Sequence, residues 1–305
     1  MTATVSSKIR PLSRIVNGLL AIKPLALWAK HQARSMMIKR SAMIGVDWHQ
    51  RVADLKAQNL EKELTQVQNP DLVYPDYYLR SFHAYEEGNL GWEPATEVEV
   101  AAYAVHSRIW SGTDPRGDAR LRQSYHEVLL AQLPTHPARI LDIGCSVGMS
   151  TLALQETFPQ AQITGLDLSP YFLAVARGRS GEGSASITWK HAPAESTELP
   201  DASVDLVSAC LLFHELPQQA ARQVFQEAHR LLRPGGSMAL MDMNPHSEVY
   251  AAMPPYILTL LKSTEPYLDQ YFSLDLEDAF RAAGFQPPRI TCNSPRHRVV
   301  LAQVA

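Results

Sequence analysis

Cysteine is scarce: Cys145, Cys210 and Cys292 are the only three in 305 residues. An odd, sparse set beside apolar runs excludes a disulfide framework and points to a reducing compartment, here the cytoplasm. No C-x-x-C pair or Cys/His cluster occurs, so the usual zinc spacings are absent. His214-Glu215-Leu216-Pro217-Gln218 starts like the zinc motif H-E-x-x-H, but Gln218 replaces the second histidine. Pro217 would also break the helix that motif needs, so no metal is expected. Long apolar runs are missing too. The best, residues 15–28 (IVNGLLAIKPLALW), is interrupted by Asn17, Lys23 and Pro24 and falls short of the ~20 residues of a bilayer span.

Acid is missing from one region only. Residues 1–40 hold eight Lys/Arg and no Asp or Glu, whereas the rest carries 20 basic and 31 acidic residues, a net of −11. An acidic body argues against a nucleic-acid binder. Leu12, Ile15, Val16, Leu19 and Leu20 recur at helical spacing. Three readings of this head stand. It is an interfacial helix giving peripheral membrane contact through residues 1–40, a helix packed on the protein, or a removable targeting peptide. On charge alone the head is the region expected to choose location rather than chemistry.

What is present is a change of pattern near residue 137. Before it, three stretches read as helical: residues 50–69, a helix with Val98, Ala102, Val105 and Ile109 on one face, and residues 118–132. An aromatic block, YPDYYLRSFHAYEEGNLGW (74–92), lies among them. After it, short apolar strands alternate with amphipathic helices. ARILDIG (138–144), QITGLDLS (162–169), ASITWKHA, SVDLVSACLLF (203–213) and SMALMDM (237–243) read as strands, and PPRITC and RVVLAQ close the chain as an antiparallel pair. Arg233-Pro234-Gly235-Gly236 is expected to stop a helix and turn the chain. The predicted fold is α/β: a Rossmann-like, seven-stranded, mostly parallel sheet with an antiparallel last strand and a helical N-terminal cap. The organisation is a basic segment (1–45), a mainly helical cap and acceptor region (46–136), and a cofactor domain (137–305).

Ligands of such sheets bind at the carboxyl ends of the strands. The first strand ends in Asp142-Ile143-Gly144-Cys145-Ser146-Val147-Gly148, and the second ends in Asp167, 19 residues beyond Gly148. A carboxylate there can accept hydrogen bonds from both hydroxyls of a ribose. The D-x-G-x-x-x-G loop lacks the central glycine of the dinucleotide fingerprint, which favours a nucleoside cofactor without a pyrophosphate. LDIGCSVG, ITGLDLSP, SVDLVSACLLFHEL and EAHRLLRPGGSMALMD, in this order, resemble the class I S-adenosylmethionine-dependent methyltransferases. The small-molecule branch, similar to the methyltransferases of quinone biosynthesis, fits best. The resemblance implies that Asp142, Gly144, Cys145 and Gly148 surround the methionine part of S-adenosyl-L-methionine. It further implies that Asp167 binds the ribose and Leu168 the adenine, that Ala194 and Glu195 border the adenine, and that Cys210 and Leu211 border the methionine side. Pro193 stands where the family often has Asp or Asn. The alternatives are a nicotinamide-dependent Rossmann oxidoreductase and a cofactor-binding protein without catalysis.

The acceptor is expected to be small and apolar or aromatic, methylated on O or C. His214, just after the fourth strand, is the candidate general base, since an ordinary imidazole pKa of about 6.5 suits proton removal. His83 and Tyr85 are candidate acceptor-pocket residues. Arg296-His297-Arg298 meet either an anionic acceptor or solvent at the sheet edge. Met253-Pro254-Pro255-Tyr256 imitates the [DNS]PP[YF] motif of amine methylases, but follows the fifth strand and starts with Met253, so it cannot serve that chemistry.

Overall fold

The computed structural model describes residues 23–81, 85–181 and 186–305. The helix expected at 12–20 and the candidate His83 lie outside the described residues. Five helices precede the sheet among those described: α1 (Lys23–Met43), α2 (Trp48–Lys56), α3 (Leu60–Val67), α4 (Trp92–His106) and α5 (Gly117–Gln132). The single helix expected at 50–69 is two, because Asn59 caps a new start by accepting from the Lys62 amide.

The sheet then alternates with helices: β1 (Arg139–Ile143), α6 (Met149–Thr157), β2 (Gln162–Asp167), α7 (Pro170–Ser180), β3 (Ile187–His191), β4 (Val204–Cys210), α8 (Gln218–Leu231) and β5 (Leu232–Met243). The short helices α9 (Glu248–Ala251), α10 (Pro255–Thr264), α11 (Leu268–Phe272) and α12 (Leu276–Ala282) lead to β6 (Arg289–Cys292) and β7 (His297–Gln303). The order is β3-β2-β1-β4-β5-β7-β6, with β7 antiparallel to both its neighbours. The predicted seven-stranded arrangement is the observed one. One boundary differs. The chain rejoins the sheet at Leu232, and Arg233–Gly236 form an irregularity between the Val204–Leu232 and Leu206–Ser237 pairs rather than a free turn.

Alternation along the strands makes two cores. Leu141, Ile143, Val207, Ala209, Met238 and Leu240 face a layer that includes Phe213, Phe225 and Phe280. Ile140, Leu206, Cys210, Ala239 and Met241 face the other, with Leu121, Tyr125 and Leu154. Tyr125 is fully buried yet satisfied: its hydroxyl donates to the Ala239 carbonyl (3.1 Å) and pairs with Ser208 Oγ (3.0 Å).

The cap is fastened by polar bonds. Arg34 of α1 binds the Glu97 carboxylate of α4 through Nε (3.0 Å) and Nη2, and the Tyr85 hydroxyl donates to the same carboxylate (2.7 Å). Glu97 is 2% exposed, so α1 is tied down where a lost partner would strand a buried charge. On α4, Val100 and Ala104 enter the packing, whereas Val98, Ala102 and Val105 of the expected face border a cavity and Ile109, its fourth member, is buried beyond the end of the helix. No helix among the described residues is long and apolar enough to cross a membrane.

Candidate active site

The cavity holds about 820 Å³, within the usual range for small-molecule sites. It starts at the carboxyl ends of β1, β2 and β4 and runs beneath α1, α4 and α10 to the β6–β7 turn. Gly144, Cys145, Asp167, Leu168, Ala194, Cys210, Leu211, His214 and Tyr85 border it, as does Ser146. Sequence reasoning therefore brought most of its candidates to one place.

At the sheet end the loop after β1 is tightly wound. Gly144 has φ +63°, and a Cβ there would meet Leu212 Cδ1 at 2.6 Å. Gly148 has φ +82°, and a Cβ would meet the Trp189 ring at 2.8 Å. Both positions thus need glycine for conformation and for space. Asp167 anchors the loop, accepting from the Ser146 amide (2.7 Å) and the Ser169 amide (2.8 Å). Burial lifts its carboxyl to about 6 against the pull of those two amides.

Asp142, Gly148 and Glu195 do not border the cavity. Asp142 lies beneath it and accepts from Ser150 Oγ and Thr151 Oγ1, both at 2.7 Å, which fixes the first turn of α6. Gly148 sits under Trp189. Glu195 accepts twice from the Tyr77 hydroxyl (2.9 and 3.1 Å), and it is Tyr77 that borders the cavity. The aromatic block thus closes over the sheet end. Ser169 Oγ donates to the Asn89 carbonyl at 2.6 Å in the same seam. Burial raises the thiols of Cys145 and Cys210, the latter to about 12, so both are protonated packing groups rather than nucleophiles.

A buried charge group contributed by α4 and α5 escaped sequence reasoning. His106 Nδ1 lies 2.7 Å from Asp118 Oδ1, and Arg122 Nε donates to Asp118 Oδ2 at 3.0 Å. Arg122 also reaches Cys210 Sγ at 3.5 Å and borders the cavity. The i, i+4 spacing of Asp118 and Arg122 was visible, but their burial was not.

Midway along the cavity, His214 Nδ1 is 2.8 Å from Asp242 Oδ1, and the His214 amide donates to Asp242 Oδ2 (3.2 Å). Both side chains are buried. Burial pulls the imidazole pKa down, but Asp242 first, then Glu265 and Glu215, raise it to about 9. The ordinary pKa near 6.5 is therefore not that of this histidine, which is an imidazolium at neutral pH. Each of His214, Glu215 and Glu265 offers a ligand-type atom within 4.8 Å of the others. Beyond them the walls turn apolar, with Met253, Ile257 and Leu261 on the α10 side and Met37 and Ala101 opposite. Arg296, His297 and Arg298 are not solvated edge charges: His297 is 3% and Arg298 6% exposed, and Arg296 borders the cavity.

Residues 140–236 match the family described as "Methyltransferase domain". The chain is an S-adenosylmethionine-dependent methyltransferase of class I. This methyltransferase is 29% identical over 184 residues to an uncharacterized methyltransferase of Synechocystis sp., covering 60% of this chain and 81% of that one. It is 29% identical over 191 residues to the ubiquinone biosynthesis O-methyltransferase of Xanthomonas axonopodis pv. citri, covering 60% and 77%. A solved structure of a methyltransferase of Thermotoga maritima, titled a possible histamine N-methyltransferase, shares the fold at TM-score 0.51 and 17% identity, over 70% of this chain and 98% of that one. The residues present suit the methyltransferase's cofactor. Ser146 Oγ and Asn89 Oδ1, both on residues that border the cavity, are buried with no hydrogen-bond partner among the described residues, as hydrogen-bonding positions kept for a ligand would be.

Proposed function

We propose that this methyltransferase acts on a hydroxyl or an activated ring carbon of a small, apolar or aromatic acceptor. The observation that carries the reading is the continuous cavity from the Asp167 loop, past the His214–Asp242 pair, into apolar walls. Similarity to a ubiquinone biosynthesis O-methyltransferase supports the same acceptor class.

Asp167 would hold the ribose, with Gly144 and Cys145 approaching through their backbone and Leu168 and Ala194 flanking the adenine. Arg122 would face the methionine carboxylate beside Cys210 and Leu211. Asp142 and Glu195 would serve indirectly, by fixing α6 and Tyr77. S-adenosylmethionine, when bound, supplies a methyl group already activated on a sulfonium. The protein's remaining tasks are alignment, exclusion of water and removal of one proton from a hydroxyl acceptor. His214 would perform the last. A neutral imidazole facing a hydroxyl and an imidazolium facing its conjugate base hold the same number of protons. Either way the productive complex has lost one proton relative to the free imidazolium enzyme. Asp242 would hold the ring's Nδ1 and leave Nε2 for the acceptor.

The test is S-adenosylhomocysteine calorimetry followed by methyl transfer to a panel of phenols, catechols and quinols. Binding with turnover on at least one aromatic hydroxyl or ring carbon is expected. Binding with turnover only on amines or thiols would overturn the acceptor reading, and binding without any turnover would favour a cofactor-binding protein without catalysis.

A further inference from the structure

Two arginines in the cavity lack what their fellows have. Among the described residues, the other half-buried arginines (34, 122, 177, 179, 222, 230 and 233) each have a carboxylate within 4.0 Å. Arg40 and Arg296 are half-buried, border the cavity and have none. Arg40 comes from the last turn of α1 and Arg296 from the β6–β7 turn, so residues 256 apart in the sequence converge only in the fold. Arg296 Nη2 donates to the Val105 carbonyl at 3.2 Å.

The carboxylates that border the same cavity are engaged elsewhere. Glu93 lies 3.6 Å from Arg34, and Asp167 accepts two backbone amides. Glu215 and Glu265 gather at His214. Local electrostatics agree. Burial, then Arg108 and Arg296, lower the pKa of Arg40. Burial, then His106, Arg296 and His214, press the buried His297 well below its usual value and keep it neutral. Two desolvated, uncompensated guanidinium groups are costly unless an anion joins them. Guanidinium forks match a carboxylate, sulfonate or phosphate in geometry as well as charge.

We propose that Arg40 and Arg296 form an anion subsite at the far end of the cavity, so that the methyl acceptor carries an anionic group on an apolar body. The inference rests on reading the cavity as the acceptor pocket. It makes the last turn of α1 a determinant of substrate choice.

The experiment uses two probes of one aromatic skeleton, anilinonaphthalene sulfonate and the uncharged phenylnaphthylamine. Each is titrated by fluorescence into the full chain saturated with S-adenosylhomocysteine. The wild type should bind the sulfonate about 10-fold or more tighter, the scale of a charge-assisted bond. Arg40→Gln/Arg296→Gln should bring the two probes within about twofold, and Arg40→Lys/Arg296→Lys should keep part of the preference. S-adenosylhomocysteine affinity should be unchanged in both variants, which also reports that they fold. Equal binding of the probes by the wild type, or an unaltered preference in the glutamine variant, would overturn the subsite. So would displacement of the sulfonate by submillimolar inorganic phosphate, which would assign the arginines to a free anion. Failure of the wild type to bind S-adenosylhomocysteine would instead refute the cofactor reading, whatever the probes do.

Discussion

The two ends of the cavity are built by different rules. The sheet end comes from loops after consecutive strands, so its residues arrive in short runs: Gly144–Ser146, Asp167–Leu168 and Cys210–Leu212 border one space. Its chemistry is backbone amides around a carboxylate. The far end is assembled from α1, α4, α10 and the β6–β7 turn, which lie far apart in sequence. Its chemistry is side-chain charge set in apolar walls: arginines and methionines. A contiguous loop can present one shared cofactor in many proteins, whereas a surface drawn from scattered helices can change one wall at a time. On the proposed reading of the cavity, cofactor recognition and acceptor choice are separable in this molecule.

Substitutions can break that separation or sharpen it. The largest effect is expected at the junction. His214→Ala should lower kcat by about 10²–10⁴ for a hydroxyl acceptor while calorimetry finds S-adenosylhomocysteine affinity unchanged; parallel loss of both would merge the two ends into one unit. Asp167→Ala should do the reverse, weakening S-adenosylhomocysteine binding by about 10²-fold through the loss of charge-assisted bonds. Its effect on binding of a neutral aromatic probe should be small.

The ends should also differ in pH response. Because the His214 pKa is raised to about 9, kcat/KM for a hydroxyl acceptor should climb about tenfold per pH unit from neutrality and level off near 9. Because the Asp167 pKa is raised to about 6, S-adenosylhomocysteine affinity should hold above pH 6 and fall below it, as the protonated acid loses acceptor capacity. A cofactor affinity that is flat down to pH 5 would detach Asp167 from the ribose. The smallest effect is structural. Arg34→Ala leaves the buried Glu97 with Tyr85 and should cost about 1–2 kcal/mol in denaturant unfolding, without altering cofactor affinity.

The same division explains what could be read beforehand. Strand periodicity and the glycine-bearing loop after β1 reveal the sheet, because both are local consequences of pleat and turn geometry. Asp167 was legible because the residue ending β2 must sit beside the β1 loop. Asp142 and Glu195 were assigned to the ligand by motif position, but position does not say which way a carboxylate turns. In the fold Asp142 Oδ2 accepts from Ser150 and Thr151, and Glu195 accepts from Tyr77. Asp118 and Arg122 stand four residues apart, the spacing of any helical ion pair, and only the packing of α5 buries them. His214 was legible as a candidate, but its proton affinity was not, since Asp242 lies 28 residues on and joins it only through the β4–β5 pairing.

The amino-acid sequence by itself determined the fold class, the sheet end of the cavity and the class of cofactor. These rest on periodicity and on loops whose ends are held by adjacent strands. The tertiary structure alone decided the charge state of His214, the burial of Arg296–Arg298 and the placement of Arg34 and Arg40. A net charge of eight over residues 1–40 reads as a location signal in one dimension. In three, Arg34 is spent on Glu97 and Arg40 is turned into the cavity, because the energy of a charge depends on its dielectric surroundings and partners, and the fold supplies both.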